Sequence, residues 1–178
     1  MSDFKRANPL FSLCGLNCGL CTMRIGGHCP GCGQGNRPCK VARCAMERGF
    51  EYCFECSEYP CGLYDNTVDH DSFITHLNQR ADMQKAAEIG IAAYTAEQEQ
   101  KVALLERRLA SYNSGREKAL FCLAVNLLSV GEVRAALLDA DRTTAALPLK
   151  DKACYMAGRL RDITGQRGIE LKLRKKPS

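Results

Sequence analysis

Tryptophan is absent from the 178 residues, histidine occurs only three times, and long apolar runs are missing. The longest apolar run, residues 119–128, is about half of the roughly 20 residues that a membrane-spanning helix needs. The first fifteen residues also lack the apolar stretch of a secretory signal peptide. These absences predict a cytoplasmic protein that does not contact the membrane, in a compartment where thiols are kept reduced.

The common catalytic sets are also missing. No Ser/His/Asp set, glycine-rich phosphate loop or pair of acids beside a histidine can be assembled from the sequence. His28 adjoins a cysteine and is a candidate replacement ligand, whereas His70 and His76 are expected to be cap and surface residues. The sequence therefore favours a protein that is not an enzyme.

Cysteine, by contrast, is abundant and unevenly placed. The chain has 12 cysteines, and ten of them fall within residues 1–61. Ten clustered thiols in a reducing compartment indicate metal binding rather than disulfide bonds. All ten are candidate ligands: Cys14, Cys18, Cys21, Cys29, Cys32, Cys39, Cys44, Cys53, Cys56 and Cys61. The other two, Cys122 and Cys154, are expected to be buried, small apolar residues of helices.

Three C-x2-C units, at 18–21, 29–32 and 53–56, predict four-thiolate zinc sites, because each unit brings two sulfurs toward one ion. With ten thiols, two zinc ions are expected. A local pairing joins the first two units and forms a second site from Cys39, Cys44 and the third unit. A cross-braced pairing joins the first unit to Cys39 and Cys44, and the second unit to the third. The spacing does not choose between these pairings.

Clustered cysteines also occur in radical enzymes, thiol–disulfide enzymes and iron–sulfur proteins. The run Cys14, Cys18, Cys21 has the C-x3-C-x2-C spacing of radical enzymes that use S-adenosylmethionine, but the large α/β barrel of that class is not encoded here. A thiol–disulfide enzyme needs one C-x2-C unit in an α/β setting, and this sequence has three in glycine-rich coil. An iron–sulfur cluster without the barrel stays open as the alternative to zinc, with a redox or electron-transfer role.

Composition divides the chain into two predicted domains, residues 1–66 and 67–178. The first has few aliphatic residues and no periodic pattern, which predicts a small cysteine-rich module with little regular structure, stabilised by metal. The second has helical patterns, which predict an all-α bundle of four to six helices. Its first helix is expected at residues 71–80, with Asp71 as the cap. A short basic strand or tail is expected at its end, beginning with IELKL at residues 169–173.

Three capping boxes are predicted in the second domain: TAEQ at 95–98, SGRE at 114–117 and SVGE at 129–132. The third opens a helix whose inward face carries Val133, Ala136, Leu137 and Ala140. Pro148 is expected to start the last long helix.

The net charge of +5 arises mostly at the carboxyl-terminal end, from Lys172, Arg174, Lys175 and Lys176. Such a patch is usually a solvated tail, and binding to nucleic acid is the weaker alternative. Aromatic residues interleave the last cysteines, namely Phe50, Tyr52, Phe54, Tyr59 and Tyr64. They are expected to form a small core under the metal, although zinc-knuckle aromatics can also stack on bases.

The order CGLNCGLC, then CPGC, then CKVARCAMERGFEYCFECSEYPC resembles a prokaryotic, cysteine-rich family catalogued as domain of unknown function 3795. The resemblance covers residues 13–63 closely and the helical part less specifically, and residues 23–28 are shorter than in many members. It implies zinc binding, with each of the ten cysteines as a candidate ligand, and implies no established activity. The function expected is a structural zinc protein that presents a surface to a protein partner.

Overall fold

Helices make up the regular structure of the part of the chain that this computed structural model describes, namely residues 6, 8–32, 34, 39–65, 67 and 69–175. In chain order the helices are α1 (Thr22–Ile25), α2 (Lys40–Arg48), α3 (Gly62–Asp65), α4 (Gln79–Ile89), α5 (Ile91–Tyr112), α6 (Lys118–Leu127), α7 (Val130–Thr143) and α8 (Leu149–Gln166). Five of them follow residue 66, so the predicted helical character of this half is confirmed.

The strand expected at residues 169–173 is wrong, since none of the described residues forms a β-strand. The segment turns instead, with the Lys172 amide donating to the Glu170 carbonyl at 2.9 Å. Arg174 is then held by Asp71: its amide donates to the Asp71 carboxylate at 2.8 Å, and its carbonyl accepts from the Asp71 amide at 3.0 Å. One fixed residue replaces the ladder that a strand would need.

The chain forms two compact units. The first consists of Met1–Glu99 together with Leu173–Ser178, and the second is Gln100–Lys172. All ten amino-terminal cysteines belong to the first unit, which we call the thiol unit; the second is the helical unit. The boundary expected between residues 66 and 67 lies inside the thiol unit, and α5 begins in one unit and ends in the other.

The thiol unit has an aromatic core. Its fully buried rings are Phe11, Tyr52, Tyr64 and Tyr94, which pack with Cys14, Val41, Met83 and Ala86. Phe11 lies 4.6 Å from the Tyr94 ring, and the Tyr94 hydroxyl donates to the Asn17 side chain at 2.9 Å. Aromatic burial thus supplies the apolar area that the few aliphatic residues of this unit do not.

Helix α2 is the longest regular element among the cysteines, and the sequence-based prediction of little regular structure missed it. Val41, Ala42 and Ala45 form its buried face, and Gly49 ends it in a left-handed conformation with φ of 75°. Apart from α2, the regular elements among the described residues up to 65 are single turns: α1, α3 and two 3₁₀ turns, at Cys18–Leu20 and Cys53–Glu55.

The helix expected at residues 71–80 is wrong in position. Residues 71–78 form turns, and α4 begins only at Gln79. The Asp71 carboxylate does cap a backbone amide, that of His76 at 2.7 Å, but it also bonds Arg174 and so closes a turn rather than a helix. A helix here would place Phe73, Ile74 and Leu77 on one face, but Phe73 and Leu77 are 64% and 46% exposed whereas Ile74 is 7% exposed.

The three predicted capping boxes fare differently. TAEQ lies inside α5, which begins at Ile91 after Gly90, and the Thr95 hydroxyl donates back to the Ile91 carbonyl at 2.7 Å. SGRE precedes α6: Glu117 accepts from the Ser114 amide at 2.7 Å, but the helix begins at Lys118.

SVGE forms a complete box at the start of α7, with the Ser129 amide donating to Glu132 at 2.8 Å and the Glu132 amide returning a bond to the Ser129 hydroxyl.

The core of the helical unit lies among α6, α7 and α8, which pack together through α6–α8 and α7–α8 contacts. The predicted inward face of α7 is confirmed, because all four of its residues are buried: Val133, Ala136, Leu137 and Ala140. Pro148 caps α8 as predicted. Within the described ranges, no helix combines the length and apolarity that crossing a membrane requires.

Candidate metal centre

Four thiols line one cavity of the thiol unit. Cys44 comes from α2, Cys53 and Cys56 from the second 3₁₀ turn, and Cys61 from the residue before α3. We call these four the pocket cysteines. The remaining walls are mostly apolar, from Val41, Ala45, Phe50, Tyr59, Leu63 and Tyr64, with Arg48 and Glu58 as the charged members. The cavity volume of about 40 Å³ exceeds the ~10–15 Å³ that one water molecule needs.

Two of the C-x2-C units share one backbone geometry. In each, the second cysteine amide donates to the carbonyl of the first at 3.1 Å, Cys21 to Cys18 and Cys56 to Cys53. The closing residues are extended almost identically, with φ and ψ of −85° and 131° at Cys21 and −82° and 132° at Cys56. This repeated turn is the local structure that lets two sulfurs approach one ion.

The turn at Cys53–Cys56 is held by a carboxylate. Glu55 accepts from the Glu51 amide at 2.8 Å and from the Tyr52 amide at 3.3 Å. Because these bonds fix the chain entering the turn, the position of Cys53 is set by the backbone as well as by packing. The Cys53 amide in addition donates to the Leu13 carbonyl at 2.9 Å, which ties the turn to the segment that carries Cys14.

Burial and crowding disfavour ionised thiols here. Burial raises the pKa of Cys53 to about 12, and the neighbouring thiols Cys14, Cys61 and Cys44 add to the rise. The pKa values of Cys14 and Cys18 are likewise raised to about 12, again chiefly by burial. A divalent cation reverses this preference, since a coordinating thiol is deprotonated outright. The donor set therefore suits a metal ion.

Cys18 and Cys32 belong to a second group of thiols. Burial is the main cause of the raised pKa at both residues, and neighbouring thiols add to it: Cys32, Cys14 and Cys21 at Cys18, and Cys39 and Cys29 at Cys32. Cys14 is buried and accepts or donates a bond with the Ser12 hydroxyl at 3.3 Å. The Cys32 and Cys39 thiols add to the rise in the pKa of Cys14, and Cys14 adds to the rise in the pKa of Cys53.

The structure brings four of the ten predicted ligands together in the pocket. The pocket collects three members of the locally paired second site, Cys44, Cys53 and Cys56, but its fourth thiol is Cys61 instead of Cys39. Cys39 is exposed. As the side chains stand, no three Cys, His, Asp or Glu residues in the described part of the chain lie close enough together to hold an ion. Binding thus requires the sulfurs to close by side-chain rotation.

The two carboxyl-terminal cysteines differ from each other. Cys122 is 4% exposed within α6, as expected for a small apolar residue. Cys154 is exposed on α8, so its expected burial is wrong. The buried stripe of α8 is formed by Ala153, Met156, Ala157 and Leu160, which points Cys154 to the other side of the helix.

The histidines do not join the thiols. His28 is exposed. His76 lies in the turn before α4, where its Nδ1 bonds the Thr67 carbonyl and its Nε2 bonds the Ser72 hydroxyl at 3.0 Å. Burial lowers the pKa of His76. The Asp71 carboxylate bonds the His76 amide and Arg174 rather than the imidazole, so these residues close a turn and do not form a Ser/His/Asp triad.

The aromatic residues near the pocket form core rather than an exposed stacking surface. Tyr52 and Tyr64 are each 1% exposed. Phe54 stacks on Tyr52 with ring centroids 5.4 Å apart, and Tyr59 meets Tyr64 edge-on at 4.8 Å. Rings packed on one another in this way do not present free faces to bases.

The sequence does not identify two arginines of the thiol unit, Arg48 and Arg6, as residues of a site. Arg48, on α2, donates to the Cys56 sulfur at 3.5 Å and pairs with Glu58 at 3.1 Å. Arg6 is 9% exposed and lies over Tyr52, with its guanidinium carbon 4.9 Å from the ring centroid. Neither has a spacing relative to the cysteines that would single it out, because their proximity depends on the tertiary fold.

None of the protein-family models, curated proteins or solved structures compared with this chain matches it.

Proposed function

We propose that this protein binds zinc through four-thiolate sites and that the metal holds the thiol unit together. One observation carries the proposal: four cysteines from three separate elements line a single small cavity beside the aromatic core. An isolated pair of thiols has many explanations. Four thiols gathered from α2, a 3₁₀ turn and the start of α3 match the number of ligands in a structural zinc site.

In this proposal the pocket cysteines bind the ion as thiolates, and Arg48 offsets part of their charge through its bond to the Cys56 sulfur. The apolar walls, including Val41, Tyr59 and Leu63, keep water from the sulfurs. Zinc, when bound, supplies a cross-link among segments that have little other regular structure.

An iron–sulfur cluster is the second candidate, and the C-x3-C-x2-C run of Cys14, Cys18 and Cys21 supports it. The repeated turn favours zinc, because C-x2-C units that close in the same extended conformation at Cys21 and Cys56 suit a structural zinc site.

We infer that the biological role is to present a surface to a protein partner, since the described residues offer no catalytic geometry. Among the described residues Phe73, in the turn that Asp71 closes, has the most exposed large apolar side chain. Nucleic-acid binding is less well supported. Arg174 is paired with Asp71 at 2.8 Å, so its charge is already offset, and Lys176 lies outside the described residues.

Anaerobic purification followed by measurement of zinc, iron and labile sulfide tests the metal directly. The expected result is zinc without visible absorption; iron with matching sulfide and a brown colour would support the cluster instead. Cys61→Ser is expected to lose one equivalent of zinc, whereas Cys39→Ser should leave the pocket occupied. If Cys61→Ser keeps its full zinc, the pocket is not the site. Cys122→Ala, a buried thiol of the helical unit, is the control.

A further inference from the structure

The exposed apolar side chains are not spread evenly along the described residues. Eight large apolar side chains are exposed there, namely Ile25, Phe73, Leu77, Ile89, Leu138, Leu147, Leu149 and Leu173. Four of the eight lie on three short segments of the thiol unit, namely Ile25 on α1, Phe73 and Leu77 in the turn of residues 71–78, and Leu173 near the carboxyl-terminal end. We call these four the apolar patch. Single exposed apolar residues are ordinary, whereas a group of them marks an interaction site.

Hydrogen bonds hold the three segments of the apolar patch together. The Thr22 hydroxyl of α1 donates to the Phe73 carbonyl at 3.3 Å. The Arg174 amide donates to the Asp71 carboxylate at 2.8 Å, and the Asp71 amide donates to the Arg174 carbonyl at 3.0 Å. The patch residue of α1 is three positions after Thr22, and the patch residue of the carboxyl-terminal segment directly precedes Arg174. Contacts within the thiol unit therefore assemble the patch from distant parts of the sequence.

The turn that carries Phe73 is ordered without a partner. The Ser72 amide donates to the Ile74 carbonyl at 3.2 Å, and the Leu77 amide donates to the Thr75 hydroxyl at 3.2 Å. Ile74 is 7% exposed and anchors the turn, whereas its neighbour Phe73 is 64% exposed. An aromatic side chain held outward on an ordered turn suits an interface, because binding then costs little additional ordering entropy.

The charges beside the apolar patch are mostly positive. Arg24 lies on α1, and Arg174 and Lys175 follow the patch residue of the carboxyl-terminal segment. The carboxylate of Asp71 is fully buried, and Arg174, which pairs with it, keeps a side chain that is 36% exposed. Asp69 is the exposed acid among the described residues of these segments. An acidic partner therefore complements this surface, whereas a second copy of the chain would bring two positively charged surfaces together.

We propose that the apolar patch binds an acidic segment of a protein partner, whose apolar side chains cover Phe73 and Leu77 and whose carboxylates face Arg24 and Lys175. The proposal rests on the partner-binding role proposed above and gives that role a location and a partner chemistry. It does not depend on which metal the thiol unit binds.

Random peptides displayed on phage and selected on the full wild-type chain test the chemistry of the partner. The selection should enrich peptides that combine apolar residues with Asp and Glu. A synthetic copy of an enriched peptide should bind Phe73→Ser about tenfold or more weakly than wild type, because an aromatic anchor is lost. Leu138→Ser, which removes an exposed leucine of α7, is the matched control and should bind like wild type.

Two further measurements test the charges and the fold of the variants. Lys175→Glu should weaken binding of the enriched peptide, as should added salt, whereas Arg116→Glu, at an exposed position of the helical unit, should not. Because Phe73 is mostly exposed, Phe73→Ser should keep the circular dichroism spectrum and the metal content of wild type. Weak binding is then a property of the surface and not of unfolding.

The outcomes separate this inference from the proposed function. Peptides that bind wild type and Phe73→Ser equally would overturn the patch but keep the partner-binding role, which another surface would then perform. Enrichment of basic peptides, or of none, would overturn the acidic partner. Self-association, or binding to vesicles of phosphatidylserine, that Phe73→Ser abolishes in the absence of acidic peptides would do the same. Protein that holds no zinc yet binds acidic peptides through Phe73 would contradict the zinc proposal and support the patch.

Discussion

The two compact units surround a buried arginine with different groups. Arg6 in the thiol unit lies over the Tyr52 ring, with its guanidinium carbon 4.9 Å from the ring centroid, and its Nη1 donates to the Phe11 carbonyl at 2.5 Å. Arg108 in the helical unit is fully buried on α5, and its only acceptor among the described residues is the Val133 carbonyl at 2.7 Å. Burial lowers the pKa of Arg108 to about 10. Each arginine thus has one carbonyl acceptor, and Arg6 has in addition the face of Tyr52.

The units also differ in what stabilises them. In the helical unit α6 and α7 both pack on α8, whereas the thiol unit combines an aromatic core with α2, α4 and several single turns. A helix bundle gains most of its stability from apolar burial. The cysteine-bearing segments of the thiol unit are mostly single turns, and such segments gain stability from a cross-link. We therefore expect the two units to respond differently to loss of metal and to loss of apolar burial.

The largest effect is expected from removing metal. A strong chelator should unfold the thiol unit, because structural zinc contributes on the order of 10–16 kcal/mol in small domains. The helical unit should keep its helices, since none of its core residues is a proposed ligand. Circular dichroism and amide exchange measured per residue check this. Loss of both units together would show that the helical unit depends on the metal, and unchanged exchange in both would contradict a structural metal.

A substitution that creates a cavity in the helical unit should destabilise that unit and leave metal binding by the thiol unit unchanged. Leu137→Ala removes a buried side chain of α7 and should lower the free energy of unfolding by about 2–5 kcal/mol. Metal content should stay at the wild-type value. Leu138→Ala, at the next position and 52% exposed, is the matched control and should have a much smaller effect. Equal effects of the two substitutions in chemical denaturation would contradict the observed face of α7.

Arg108→Met sharpens the comparison of the two arginines. Replacing a buried charge that lacks an anion by an apolar side chain should stabilise the helical unit by about 1–2 kcal/mol, and thermal unfolding measures it. Arg116→Met, at an exposed site, is the control. A large destabilisation by Arg108→Met alone would mean that the guanidinium has a partner in solution, and would remove the contrast with Arg6.

The smallest effect is expected at the Asp71–Arg174 pair. Burial raises the pKa of Asp71, but the hydrogen bonds from Arg174 and His76 outweigh it and the net shift is downward. The pair therefore contributes its full stabilisation of the thiol unit at pH values well above 3.8, the ordinary carboxyl pKa. This contribution is lost as the pH falls from 3.8 through the lowered pKa of Asp71.

Asp71→Asn should cost about 1 kcal/mol at neutral pH, because Arg174 is partly exposed and the attraction is screened. Denaturation at pH 7 and at pH 3 measures the difference, which should shrink in acid. Asp69→Asn, at an exposed position, is the control. A difference between wild type and Asp71→Asn that is the same at both pH values would contradict the ionic character of the contact.

Local signals in the sequence predicted local structure well. The box at Ser129 and Glu132 and the inward face of α7 were predicted because their partners lie within one or two turns. The box at Thr95 failed because the helix formers before it extend α5 back to Ile91, leaving the hydroxyl inside a helix. Helix α2 was missed among the cysteines although Gly49 marks its end.

Distant contacts decided what the sequence did not predict. Residues 71–78 have a helical pattern, but Asp71 bonds a residue 103 positions away and the segment turns. The ten cysteines were recognisable as ligand candidates from their number and spacing. That the pocket takes Cys61 and not Cys39 depends on how α2 and α3 pack, which C-x2-C spacing does not encode.

The link between Asp71 and Arg174 has a consequence for biosynthesis. The helical unit is an insertion, because the chain leaves the thiol unit at Glu99 and re-enters it at Leu173. A ribosome therefore delivers every cysteine of the thiol unit long before the residue that pairs with Asp71. Since domains fold as units during synthesis, we expect the helical unit to form before the Asp71–Arg174 contact and to shorten the effective loop that this contact must close. The thiol unit, which contains the first residues to be synthesised, is therefore completed only after the helical unit.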